Sequence, residues 1–254
     1  MTRPNILWIS FEDTSPRFGC YGDPVARTPH VDRLATEGCR FPNTFACAGV
    51  CAPSRFAVIT GCYPTALGAQ HMRTTHRHRA APGLPTPYDT RVPHRVRCFS
   101  EYFRQAGYYC SNNEKTDYQF ACPTSAWDEC SHTAHWRGRR AGQPFFAVFN
   151  PMATHESGMW PERLPDPVTD PASVPVPPWL PDCAATRQAI ARQYDHIADN
   201  DALVGRLLQE LDEDGLADDT IVVVWSDHGE GLPRAKRWLY DSGLRVPMIV
   251  RWPG

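Results

Sequence analysis

The stretch "VCAPSRFAVITG", residues 50–61, places a cysteine just ahead of Ala-Pro-Ser-Arg. Pro53 suits the first turn of a helix, where a missing N–H costs nothing. Ser54 is a common helix-start residue, and Phe56, Val58 and Ile59 supply apolar packing. Cys51 then stands at the positive end of a helix dipole, one turn from the permanent cation of Arg55, where a negative group is stabilised. The plainer reading is a buried structural cysteine, the usual fate of a free thiol. Other chemically capable residues fall at Glu12-Asp13, Lys115, His155 and Asp227-His228. Singly, these read as solvated acids in turns, an exposed lysine and a loop histidine.

The elements around them change that reading. Strand-like runs occupy residues 5–11, 108–111, 145–150, 220–226 and 247–251. Helical periodicity covers 30–39, 51–61, 95–106 and 184–211. In the last helix Ile190, Tyr194, Ile197, Val204, Leu208 and Leu211 recur at helix-compatible steps and form one apolar face. Apolar strands alternating with helices predict an α/β fold with a mainly parallel central sheet flanked by helices. The proline-rich stretch 161–181 predicts a long surface excursion. Glu12-Asp13, Lys115, His155 and Asp227-His228 each follow a different strand, and open α/β sheets bind ligands beyond the carboxyl ends of their strands. One rim should therefore collect all of them.

Bulk properties narrow the function. The chain has 254 residues and a formal charge of −2, so no polyanion-binding or membrane-coating role is indicated, and neither a nucleic-acid nor a membrane partner is expected. The longest apolar stretches, such as 221–225, are too short to span a bilayer. The first residues run directly into a strand without the pattern of a secretory leader, which predicts a cytoplasmic product. Ten cysteines without any C-x₂-C spacing read as mostly reduced and structural. The basic run "HMRTTHRHR", residues 71–79, is either a solvated loop or, through His71 and Arg73, an anion-recognising wall for an acidic sugar.

Cys51-Ala52-Pro53-Ser54-Arg55 followed by Thr60-Gly61 resembles the C-x-P-S-R…TG signature of type I sulfatases, within the alkaline-phosphatase-like superfamily. The flanking blocks "RPNILWISFED", "GCYGDPVARTPHVDRLATEGCRFPNTFA", "TIVVVWSDHGE" and "KRWLYDSGLRVPMIVRWPG" resemble family segments in the expected order. "NNEKTDYQF" and "THESGMW" are most similar to bacterial relatives of the heparan N-sulfatase group. The resemblance implies a sulfatase N-terminal catalytic domain over 1–254. It also implies hydrolysis of sulfate esters or sulfamates, on a sulfated small molecule or saccharide. In that family the signature cysteine is oxidised to formylglycine by a maturation enzyme. The hydrated aldehyde attacks sulfur, and its second hydroxyl then expels sulfate.

Residue by residue, the resemblance makes Cys51 the nucleophile precursor and Arg55 the arginine that positions it. Lys115 and Lys236 correspond to the sulfate-binding lysines, and His155 to the histidine that helps protonate the leaving oxygen. Glu12, Asp13, Asp227 and His228 correspond to the ligands of one divalent cation, normally Ca2+, with Mg2+ or another ion as alternatives. Glu12 and His228 stand where Asp and Asn are commoner, and an imidazole departs from the oxygen ligands that calcium prefers. Asp117 stands where the family often has a histidine, so one sulfate- or diol-contacting group is either lost or supplied from elsewhere, by His71 or His155. The family usually continues beyond the final strand, so a smaller C-terminal subdomain is expected to be missing. Two alternatives remain open: a phosphodiester or phosphonate monoester hydrolase of the same superfamily, and an inactive truncated remnant.

Overall fold

The segment NILWIS forms β1 (Asn5–Ser10), the middle strand of a seven-stranded sheet. It pairs in parallel with β6 (Phe145–Asn150) on one side and β7 (Thr220–Trp225) on the other. Alternate side chains point to opposite faces. Leu7, Ile9, Phe145, Ala147, Phe149, Val222 and Val224 enter one core, whereas Ile6, Trp8, Phe146 and Val148 enter the other. Both faces are covered, which is why these strands are apolar at nearly every position. The computed structural model describes residues 3–72, 90–159 and 165–253.

The first core is closed by α1 (Pro29–Glu37) and the long α4 (Ala184–Glu213), which contribute Val31 and Leu34, and Ile197, Val204, Leu207, Leu208 and Leu211. The second is closed by α2 (Cys51–Thr60) and α3 (Phe99–Gln105), through Ile59, Phe99 and Phe103. Beyond β6 the sheet continues through β4 (Tyr109–Glu114) and the short β5 (Glu129–Cys130), both parallel. On the other side β9 (Met248–Arg251) runs antiparallel to β7 and pairs with β2 (Cys39–Arg40). The final strand thus turns a parallel sheet into a mixed one. A second ribbon joins β3 (Thr44–Phe45) to β8 (Arg245–Val246), the latter directly after the one-turn α5 (Asp241–Leu244).

The proline-rich excursion contains neither helix nor strand across 165–181. None of the described helices is long and apolar enough to cross a membrane. The expectation at Ser54 needs correction. The helix opens at Cys51 after Val50 in extended conformation, without a side-chain cap. Ser54 lies inside the first turn, and its hydroxyl donates to the Asp227 carbonyl at 2.5 Å. It ties the helix to the end of β7 rather than capping it.

Candidate active site

Register places the carboxyl ends of four parallel strands side by side: Ser10 opposite Trp225, Ile9 opposite Phe149, and Glu114 opposite Asn150. The chain leaving each end carries one part of the site. After β1 come Glu12 and Asp13, both fully buried, with Asp13 in the left-handed region at φ 51°. After β7 come Asp227 and His228, also fully buried. Lys115 follows β4 and His155 follows β6. From the second core, α2 presents Cys51 at its N-terminus.

Ring nitrogen Nε2 of His228 lies 3.0 Å from Asp13 Oδ1 and 3.8 Å from Asp227 Oδ1, so the two carboxylates from different strands are neighbours. The Cys51 Sγ sits 3.2 Å from the same nitrogen and 3.8 Å from Asp13 Oδ1. Donor atoms of Glu12, Asp13, Cys51 and His155 all fall within 4.8 Å of one another, as do those of Cys51, Asp227 and His228. Six residues predicted from sequence therefore share one buried pocket.

The expected cations arrive already paired. Arg55 Nε donates to Asp227 Oδ2 at 3.0 Å, Lys236 Nζ to Asp13 Oδ2 at 2.7 Å, and Lys115 Nζ to Glu12 Oε1. Lys236 also lies 3.2 Å from Glu156 and is almost wholly buried, unlike its exposed neighbours Arg234 and Arg237. The physical reason is desolvation: a buried charge needs a partner of opposite sign. Three carboxylates assigned to metal binding are thus interleaved with the two lysines assigned to sulfate binding and the arginine assigned to positioning residue 51. Asp117, where a histidine was common, brings a carboxylate 3.8 Å from Lys115.

Ionisation follows this pattern. Burial pushes Asp13 up, but His228 and Lys236 overcome it and hold the carboxyl below its usual range. Asp227 behaves likewise, with burial opposed by His228 and Arg55. His228 is held well above the ordinary histidine value, because Asp227 and Asp13 outweigh the burial that would lower it. His155 is lowered, chiefly by burial. Burial raises the Cys51 thiol, and the nearby Asp227 and Asp13 carboxylates add to this against His228. The helix terminus therefore does not turn Cys51 into a ready thiolate. The unmodified side chain is a neutral thiol, poorly suited to act as the nucleophile itself.

The donor set fits a divalent cation. Two clusters, Glu12 and Asp13 with His155, and Asp227 with His228, meet at Cys51 and are joined by the His228–Asp13 contact, and Glu12 Oε2 is buried with no hydrogen-bond partner among the described residues. His71 is exposed and contacts Gln70 at 3.4 Å; the structure does not bring it into this cluster, and Arg73 lies outside the described residues.

Two participants went unnoticed in the sequence. Asn150, the last residue of β6, accepts from Arg55 Nη1 at 3.0 Å and from Ser10 at 2.9 Å. Its amide donates to Asn112 and to the Lys115 carbonyl. An asparagine ending the otherwise apolar FFAVFN was the available signal. Glu156 donates its backbone N–H to Asp13 Oδ2 at 2.8 Å and holds Arg237 through both carboxylate oxygens. Adjacency to His155 was its only cue.

Comparison with known proteins adds an independent line. A family model described as "Sulfatase" matches residues 4–128 and 130–254. An "Ulvan-active sulfatase" of Formosa agariphila is 42% identical over 286 residues, covering 99% of this chain and 48% of that protein. The human "N-sulphoglucosamine sulphohydrolase" is 28% identical over 98% of this chain and 55% of its own length. The chain thus spans about half the length of these curated relatives. A phosphonate monoester hydrolase of Agrobacterium radiobacter superposes with a TM-score of 0.77 at 18% identity. It covers 99% of this chain and 68% of that one, and shares the fold.

Proposed function

The chain belongs to the sulfatase family, and on that premise we propose that it hydrolyses sulfate esters or sulfamates of a saccharide, with Cys51 as the precursor of formylglycine. The observation that carries this reading is the position of Cys51. It is buried at a helix N-terminus, with donor atoms of Glu12, Asp13, His155, Asp227 and His228 gathered about it. A maturation enzyme of the formylglycine-generating or anaerobic class would be its partner. Formylglycine supplies a geminal diol, a nucleophile that regenerates itself, where the neutral thiol offers none. A divalent cation would be held by Glu12, Asp13, Asp227 and His228, calcium being favoured by the three carboxylates although not by the imidazole, and would supply positive charge beside the reacting oxygens.

The remaining roles belong to side chains of this chain. Arg55 is fixed by Asp227 and Asn150 and presents a guanidinium one turn from residue 51. Lys115 and Lys236 are oriented by Glu12 and Asp13 and offer N–H donors to sulfate oxygens, where charge builds as the ester bond breaks. Nδ1 of His155 lies 2.8 Å from Ser157 Oγ and 3.3 Å from the Ser157 backbone nitrogen; with Nδ1 accepting from both, the neutral ring would carry its proton on Nε2. That N–H donates to the leaving oxygen.

The relatives favour a sulfated saccharide as substrate. One is named for activity on ulvan and another for an N-sulfated glucosamine. The rival, phosphodiester or phosphonate hydrolysis, rests on likeness of fold to a distant structure. Peptide mass spectrometry of residue 51, combined with turnover of 4-nitrophenyl sulfate against an aryl phosphodiester, decides between them. Formylglycine with a preference for sulfate is the expected result. Unmodified cysteine in active protein, or a preference for the phosphodiester, would overturn the proposal.

A further inference from the structure

Beside the buried pocket the surface carries a row of rings and one cation. Trp238 stacks on Tyr240 with centroids 6.2 Å apart and planes inclined at 24°. The Arg234 guanidinium lies 4.1 Å above the Tyr240 ring and 5.4 Å from the ring of Trp179, on the proline-rich excursion. Trp238 is 54% exposed and Tyr240 45%, large values for aromatic side chains already in contact with each other. Isolated exposed apolar residues need no explanation, but a contiguous row beside a catalytic pocket does. Arg234 has no carboxylate partner among the described residues, although Arg17, Arg55 and Arg237 all have one.

The row is attached rigidly to the pocket. Trp238 is two residues beyond Lys236, which holds Asp13, and its backbone packs against Gly49, two residues before Cys51. The Arg237 N–H donates to the Gly49 carbonyl at 2.6 Å. A methyl group on Gly49 would lie 2.7 Å from the Trp238 carbonyl oxygen, and one on Gly243 would overlap the same oxygen. Arg234 and Arg237 adopt φ of 64° and 74°, a left-handed backbone that side chains disfavour and that tends to persist where function requires it. The loop is therefore held in one shape, with one edge at the buried lysine and an aromatic surface at the other.

We propose that Trp238 and Tyr240 form a binding ledge for the sugar ring next to the one bearing the scissile sulfate, with Arg234 taking an anionic group on that neighbouring ring. The inference rests on the sulfatase reading and adds a recognition element to it. A pyranose presents a flat face of C–H groups that packs on an aromatic ring. A sulfated or uronic-acid saccharide carries the anion that an unpaired guanidinium would hold. Bulky apolar ligands without charge would use the rings but not Arg234.

The test uses the full chain with Trp238→Ala, Trp238→Leu and Trp238→Phe, on a tetrasaccharide prepared from ulvan and on 4-nitrophenyl sulfate. Trp238→Ala should raise KM for the tetrasaccharide about threefold to tenfold more than for the aryl ester, the scale of one lost ring contact, with kcat little changed. Trp238→Phe should restore most of the difference. Trp238→Leu, which keeps apolar bulk without a ring, should behave like Ala and substitutes for it where Ala disturbs folding. Equal effects on both substrates, or none, would overturn the ledge. Calorimetric titration with the desulfated tetrasaccharide separates the ledge from catalysis. Weaker binding by Trp238→Ala than by wild type supports the ledge even in protein that turns over neither substrate. Indistinguishable binding rejects it even in an active enzyme.

Discussion

Two charged networks occupy opposite ends of the same parallel strands, and they obey different physics. At the carboxyl ends, Arg55–Asp227, Lys236–Asp13 and Lys115–Glu12 are buried. Near the amino ends of β6 and β7, Arg137 binds Asp214 at 2.9 Å and approaches Glu210 and Glu213. There Trp136 donates to Asp214 and His135 contacts Glu210. That second network is solvated, with the Arg137 side chain 47% exposed. Exposed pairs form at little cost and contribute little. Buried pairs carry a desolvation penalty that apolar packing would avoid, so their survival points to chemistry rather than stability. The number of ion pairs says little, whereas their burial and convergence on one thiol says much.

The largest effects are expected at the centre of the buried end. Cys51→Ala should reduce turnover of a sulfate ester to background, while the melting temperature shifts only slightly, because one sulfur atom is removed from a helix start. Cys51→Ser, with its serine confirmed unmodified by mass spectrometry, should also fail to sustain multiple turnover. Sustained wild-type turnover by that variant would defeat the formylglycine reading.

Next in size are the paired cations. Lys115→Ala or Lys236→Ala should each cost on the order of 2–4 kcal/mol in transition-state stabilisation, read from kcat/KM. If kcat/KM were unchanged, the lysines would be counterions for Glu12 and Asp13 alone.

A smaller effect concerns the proton on His228. Its folded pKa is raised above the ordinary value, so its contribution to stability is complete below about 6.5 and lost as pH climbs through the folded value. A divalent cation binding the same carboxylates competes with that proton. In chelator-treated protein, added calcium should therefore raise the melting temperature more at pH 8 than at pH 6. An equal increment at both pH values would show that His228 and the ion do not share Asp13 and Asp227.

The smallest effect belongs to the exposed end. Arg137→Ala should cost less than about 1 kcal/mol and leave turnover untouched, as judged by denaturant unfolding and kcat/KM. Arg137 holds the Asp214 carboxyl below its usual range, mainly through its hydrogen bond. That modest contribution is present above the unfolded value and fades as pH falls through the folded one. A loss as large as at Lys236 would erase the contrast between the two ends.

Much of this molecule was legible from local pattern. The apolar runs of β1, β6 and β7, the periodic face of α4 and the helix at Cys51 depend on neighbours a few residues away, and a sequence displays those directly. The order of strands and motifs also places Glu12, Asp13, His155, Asp227 and His228 at one rim, because parallel strands end on the same side. Other features required the folded chain. Lys236 reads as part of a solvated basic run, yet it is buried against Asp13, 223 residues away in sequence. Asn150 links Ser10, Arg55 and Asn112, and the row from Trp238 to Trp179 joins two segments with no sequence signature in common. The antiparallel setting of β9 is equally invisible in its residues. Periodicity encodes which side of an element is apolar. Which distant charge neutralises a buried one is fixed only when tertiary packing removes water and makes each unpaired charge costly.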